Sequence, residues 1–139
     1  MANLKNNSKA KNLYFLNLAF EQAKINLGST KSNPSVGCVV EKNGAIISSG
    51  RTSINGRPHA EFNALNKKKN FKNANLYVTL EPCSHYGSTP PCTNIIIKKK
   101  IKKVFFSIYD CDIRSSEKSQ KILKNKKILV NSSLLKKKG

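Results

Sequence analysis

A chain of 139 residues has the length of one ordinary domain, enough to bury a core without disulfide staples or obligatory partners. Hydrophobic residues make up 38% and charged ones 24%, which excludes an unfolded polyelectrolyte, and no run approaches the roughly 20 apolar residues that cross a bilayer. The formal charge of +19 comes almost entirely from lysines spread from Lys5 to Lys138, so it reads as a solvated basic surface before it reads as a nucleic-acid grip.

Residues 1–10 are polar and basic and are expected to form a flexible lead. From Leu13 the apolar residues Leu16, Phe20, Ala23 and Leu27 recur at helical spacing, and Gly28 supplies a stop. The apolar stretch at 13–20 is short and broken by Asn17, unlike a secretory signal, so the four cysteines are expected as thiols in a reducing cytoplasm. Strand-like runs at 36–40 and 45–49 flank Lys42-Asn43-Gly44, where an Asn-Gly pair provides the positive φ angles of a tight hairpin. A second helix is expected from Pro58, with Ala60, Ala64 and Leu65 on its apolar face. Then come a strand at 76–80, a loop at 82–91, a helix at 92–99, a strand at 104–108, a helix around 116–123 and a strand at 128–130. The order αββαβαβαβ predicts an α/β fold of one domain spanning 1–139, a three-layer α/β/α sandwich around a mixed central sheet whose later strands run parallel.

Three short pieces carry the chemistry: Pro58-His59-Ala60-Glu61, Glu81-Pro82-Cys83 and Pro90-Pro91-Cys92. Each puts a metal-capable or acidic residue just after a proline at a junction between elements, where side chains converge above strand ends. One imidazole and two thiolates, from His59, Cys83 and Cys92, meet the demand of a catalytic zinc for three protein ligands and one open position. Water at that position has its pKa lowered toward about 7, and Glu61, two residues after the ligand His59, is placed to move the protons. A structural zinc would need a fourth protein ligand, for which Cys38, His85 and Cys111 are the candidates; Cys38, in an apolar strand, reads as a core residue.

His-x-Glu followed by Pro-Cys-x-x-Cys is the signature of zinc nucleobase deaminases. Here the first half and the Pro-Cys are kept, but eight residues separate Cys83 from Cys92. With Asn33-Pro34-Ser35-Val36-Gly37-Cys38, Gly56-Arg57-Pro58-His59-Ala60-Glu61, Tyr77-Val78-Thr79-Leu80-Glu81-Pro82-Cys83-Ser84-His85-Tyr86-Gly87 and Thr89-Pro90-Pro91-Cys92, the chain resembles the riboflavin-pathway pyrimidine deaminases over residues 13–130. The resemblance implies a cytidine-deaminase-like fold, one zinc on His59, Cys83 and Cys92, and a catalytic Glu61. It further implies Asn33, His85 and Asp110 in the substrate pocket, and a phosphorylated pyrimidine as substrate. The chain departs from that pattern in having Thr52 where the family usually has His, Ser88 where it has a basic residue, and Asp110-Cys111-Asp112-Ile113 where it has Asp-Pro-Asn-Pro. Many members continue into a reductase domain, which this sequence does not include, so the chain is expected to be either a stand-alone deaminase or a fragment of a longer enzyme, with a separate reductase and a homo-oligomeric assembly as its expected partners. The competing readings are a nucleic-acid base deaminase using the same chemistry and a non-catalytic zinc-stabilised module that binds nucleic acid through its charge.

Overall fold

The computed structural model describes residues 4–84, 89–107 and 118–132. In chain order the elements are helix α1 (Leu4–Ile25), strands β1 (Gly37–Lys42) and β2 (Ala45–Arg51), a single 3-10 turn (Ile54–Gly56), helix α2 (Ala60–Leu65), strand β3 (Asn75–Val78), helix α3 (Cys92–Lys98), strand β4 (Lys103–Phe106), helix α4 (Lys118–Asn125) and strand β5 (Leu129–Asn131). The strands form one sheet in the order β2-β1-β3-β4-β5. β1 pairs antiparallel with β2 and β3, while β3, β4 and β5 run parallel, the mixed sheet that the sequence predicts. Asn43 and Gly44 both take positive φ, 54° and 86°, at the hairpin turn between β1 and β2.

Strands that are covered on both faces read as nearly continuous apolar runs, and β1, β3 and β4 do so because each face meets a helix. On one face Val39, Tyr77 and Phe105 pack with Phe15 and Leu16 of α1, with the Tyr77 and Phe105 rings stacked at 4.4 Å. On the other, Cys38, Val40, Leu76, Val78, Val104 and Phe106 pack with α2, α3 and α4 through Ala60, Ala64, Ile96 and Leu123. This is the three-layer sandwich expected. Each fully buried large apolar side chain contributes on the order of 1.5–3 kcal/mol, so the helices that carry the functional residues are held by the core rather than by their short lengths.

The beginning of the chain corrects the sequence reading. Helix α1 starts at Leu4, where residues 1–10 are expected to be a flexible lead. Its early turns are anchored from the side: Asn12 Oδ1 accepts the Tyr77 hydroxyl at 2.8 Å, and Lys11 Nζ lies 3.5 Å from the buried Glu41 carboxylate. Once those turns are fixed, each residue added before them gains a backbone hydrogen bond without a new nucleation cost, which carries the helix through Asn6, Asn7 and Ser8 despite their low propensity.

The lysines also distribute in space differently from their even spread in sequence. The β1–β2 turn and the connections into β3, β4 and β5 gather at one end of the sheet, stitched by Asn73 N–H to Lys100 O (3.0 Å), Lys102 N–H to Ala74 O (2.8 Å) and Leu129 N–H to Lys102 O (3.0 Å). Exposed lysines at 67–69, 72, 100, 102, 126 and 127 crowd that end. The segments carrying His59, Cys83 and Asn33 lie at the other.

Candidate metal centre and active site

His59 is the N-cap residue of α2, with extended backbone (φ −71°, ψ 165°) and no side-chain cap bond. Its imidazole is thereby turned away from the helix, while Glu61 occupies the first turn and is buried to 4% exposure. The start of α2 is pinned by Asn63, whose Nδ2 donates to Arg51 O (2.7 Å) and Ser53 Oγ (2.9 Å) at the end of β2. Beneath, the Cys38 thiol donates to Ala60 O at 3.3 Å and the Ser48 hydroxyl to Ala64 O at 2.7 Å. Gly50 makes this closeness possible, because a Cβ there would overlap the Ala60 carbonyl oxygen and lie 2.7 Å from the Ala64 nitrogen.

Cys83 follows β3 through Thr79-Leu80-Glu81-Pro82, and Thr79 keeps the exit in register by donating its N–H to Gly37 O at 3.0 Å and accepting Gly37 N–H at 3.2 Å. Cys92 opens α3, and its backbone N–H donates to Cys83 Sγ at 3.2 Å. The three predicted ligands converge: His59 Nδ1 is 3.8 Å from Cys83 Sγ and 3.6 Å from Cys92 Sγ, and all three donor atoms lie within 4.8 Å of one another. Around a tetrahedral zinc with bonds of about 2.0 Å to nitrogen and 2.3 Å to sulfur, neighbouring donors sit roughly 3.5 Å apart. The spacing fits that ion. Cys38 is buried in the core with its thiol turned to Ala60, so among the described residues no fourth protein ligand joins the set; His85 and Cys111 lie outside them.

The electrostatics of the cluster point the same way. Hydrogen bonding from the Cys92 thiol, helped by His59 and the Cys92 amide, pulls Cys83 well below the usual thiol range against the opposing effect of burial. The shared proton, with burial and the nearby Glu61, pushes the Cys92 thiol well above its usual range. His59 is raised by its bond to Cys83, against burial and with help from Glu61. Burial pushes the Glu61 carboxyl up to about 7, and negative charge at Cys83 adds to the effect. Lone pairs and negative charge thus concentrate at one point, which protons satisfy poorly and a dication satisfies well.

A cavity of about 250 Å³ opens beside the cluster, lined by Glu61 and His59 on one side and by Asn33, Thr52, Arg57 and Glu81 on others. Asn33 is both a joint and a wall: its Nδ2 donates to Gly56 O at 2.9 Å, and its backbone carbonyl accepts the Thr30 hydroxyl at 2.6 Å. Thr52, where the sequence departs from its family, is buried and fully engaged, accepting Val36 N–H at 2.8 Å and donating to Pro34 O at 3.1 Å. His85, Ser88 and Asp110 lie outside the described residues.

Two wall residues were not singled out from sequence. Arg57 reaches across the cavity to donate from Nη1 to Thr89 Oγ1 at 3.0 Å. Glu81 accepts the Ser119 hydroxyl on Oε2, while its buried Oε1 has no partner among the described residues, and burial raises its carboxyl. Both lie inside the quoted motifs, but nothing in a linear string shows that position 57 faces position 89 or that 81 faces 119.

Comparison with known proteins agrees with this centre. Residues 9–108 match the family described as the cytidine and deoxycytidylate deaminase zinc-binding region. The diaminohydroxyphosphoribosylamino-pyrimidine deaminase of Buchnera aphidicola subsp. Schizaphis graminum is 38% identical over 128 residues, covering 91% of this chain and 87% of that protein. Riboflavin biosynthesis protein RibD of Bacillus amyloliquefaciens is 43% identical over 123 residues, 88% of this chain but 33% of its own length. The chain therefore spans about a third of the RibD proteins it matches. Among solved structures, Acinetobacter baumannii RibD (form 2) superposes with a TM-score of 0.86 at 41% identity, covering 91% of this chain and 36% of that one. With a zinc-binding description across 9–108 and a Buchnera relative matched over most of both chains, the chain belongs to the cytidine and deoxycytidylate deaminase family and, within it, to the diaminohydroxyphosphoribosylamino-pyrimidine deaminases.

Proposed function

We propose that this chain hydrolytically deaminates a pyrimidine ribose phosphate of riboflavin biosynthesis, of the 2,5-diamino-6-ribosylamino-pyrimidinone 5′-phosphate type. The observation that carries the reading is a buried carboxylate, Glu61, beside three converging zinc ligands that leave one coordination position to a non-protein group. His59, Cys83 and Cys92 would hold a zinc ion, which when bound would supply Lewis-acid activation of water. With that ion bound, Glu61 would take one proton from the attacking water and pass it to the ring nitrogen, then take the second proton from the hydroxyl formed on the ring carbon and pass it to the departing amino group. Oxygen bonds to the ring carbon, the C–N bond breaks, and ammonia leaves. Burial disfavours the charged form of Glu61, which brings its acid and base forms closer in energy, as a proton carrier requires. Asn33 contributes to the pocket wall, and the family resemblance gives His85 and Asp110 the same role.

The placement of charge favours this small substrate over a nucleic-acid strand. Lysines 67–69, 72, 100, 102, 126 and 127 gather at the far end of the sheet, and near the centre only Lys98 and Lys99, in the neighbouring groove that shares His59 and Thr89, add to Arg57 among the described lining residues. The product would pass to a reductase, the reaction that the family resemblance places next, and the free thiols of Cys38, Cys83 and Cys92 suit the reducing cytoplasm in which such a sequence runs.

Ammonia release from the pyrimidine phosphate, from cytidine and from a structured RNA tests the proposal, with wild type and Glu61→Ala compared at measured zinc content. Turnover of the pyrimidine phosphate, lowered on the order of 10²- to 10⁴-fold in the variant while about one zinc per chain is kept, is the expected result. Zinc-loaded wild type that turns over only RNA, or nothing, would overturn it.

A further inference from the structure

We propose that Arg57 is the phosphate-binding residue of this site, an assignment that rests on the substrate reading above. The described residues enclose about 250 Å³, less than the roughly 300–1,000 Å³ of pockets that enclose drug-sized ligands. A ring held at Glu61 and the zinc ligands therefore leaves the far end of its sugar phosphate at the mouth. Arg57 is the one lysine or arginine among the described lining residues, and it is exposed at that mouth. Its guanidinium makes no ion pair among the described residues. Nη1 is steered by Thr89 Oγ1, which leaves the remaining N–H groups of a planar fork for two phosphate oxygens. Because the Thr89 hydroxyl accepts from Arg57, its own proton is available to donate to the same anion.

The chain's departure from its family gains a physical account on this reading. Ser88 stands where the family usually carries a basic residue. Arg57 donates to Thr89, the next residue along the chain, and so brings a cation to that stretch of sequence.

The test compares wild type, Arg57→Ala and Arg57→Lys on the pyrimidine ribose phosphate and on the same compound without its phosphate, with zinc content and melting temperature measured for each. Removing a charge-assisted, two-pronged contact should raise KM for the phosphorylated substrate roughly 10- to 100-fold with kcat nearly kept. The preference of wild type for the phosphorylated compound should collapse toward one in Arg57→Ala and return in part with Arg57→Lys, at unchanged zinc content. Equal losses on both compounds, or none on either, would overturn the assignment. Calorimetric binding of ribose 5-phosphate separates this failure from failure of the substrate reading. Should wild type release no ammonia from the pyrimidine, binding that disappears in Arg57→Ala still sustains the phosphate site, and binding equal in the two proteins removes it.

Discussion

Replacing Gly50 with alanine should damage chemistry more than stability. The added methyl would overlap the Ala60 carbonyl oxygen and lie 2.7 Å from the Ala64 nitrogen, both backbone atoms of α2. Carbon atoms sit comfortably about 3.5 Å from such neighbours, so α2 must retreat from β2 by close to 1 Å. Ala60 lies between His59 and Glu61, and the retreat carries the candidate zinc ligand and the carboxylate proposed to move protons together. Overpacking of this kind costs about 1–3 kcal/mol, whereas a 1 Å misplacement of reacting groups costs on the order of 10²-fold in rate. Gly28→Ala is the control. Gly28 has φ +87° and nothing within 4 Å of an added Cβ, so alanine there meets backbone strain of about 1–2 kcal/mol and no neighbour. Ammonia release and zinc content measured well below both melting temperatures should show a crippled Gly50→Ala beside a nearly normal Gly28→Ala. A Gly50→Ala enzyme within a few-fold of wild type, or a Gly28→Ala enzyme equally impaired, would refute the claim that this contact sets the position of the site.

Other residues make separate forecasts. Burial pushes the Glu41 carboxyl up, but hydrogen bonds from Asn75 and the Gly44 amide, with Lys11, outweigh it and hold the group below its ordinary 4.5. A depressed folded-state pKa contributes stability above the unfolded value and loses it as pH falls through the folded one. Glu41→Gln should therefore flatten the acid side of the stability profile below about pH 4.5, as read by urea melts at several pH values. Thr52→Val removes the acceptor for Val36 N–H and the donor to Pro34 O, which should cost about 1–3 kcal/mol and raise KM through the loosened Asn33 segment while zinc stays bound. Cys83→Ala should lower zinc below one per chain and abolish turnover, with metal analysis after gel filtration as the check. Exchanging Lys68, Lys100 and Lys126 for glutamine should leave KM unchanged near 0.15 M salt and raise it only at low ionic strength.

The fold was legible wherever the signal was local. The Asn43-Gly44 turn and the apolar strands announce themselves through φ preference and periodicity, and αββαβαβαβ follows, although α1 stops at Ile25, short of Gly28, and leaves Leu27 exposed. The metal centre was legible because its chemistry demands particular residue types: few arrangements other than zinc ligation explain His59, Glu61, Cys83 and Cys92 each beside a proline or a helix start. What stayed hidden depends on contacts distant in sequence. Nothing before residue 13 looks buried, yet Asn12 and Lys11 meet Tyr77 and Glu41 and so extend α1 to Leu4. Thr52 looked like a lost functional residue, and only the sheet shows it bracing Val36 and Pro34.

Charge was the most misleading quantity in the sequence, because its magnitude says nothing about where the field acts. Strand β1 runs six residues from the pocket end to the lysine-rich end, a length of roughly 20 Å. At physiological ionic strength the Debye length is about 8 Å, so a lysine beyond β1 acts on a bound anion through more than two screening lengths. Such lysines set solubility and the long-range approach of anions, while a phosphate at the mouth responds to the cation beside it. On the proposed phosphorylated substrate, a protein of +19 would therefore still call for a cation beside the phosphate, and among the residues described as lining that cavity Arg57 is the one placed to supply it.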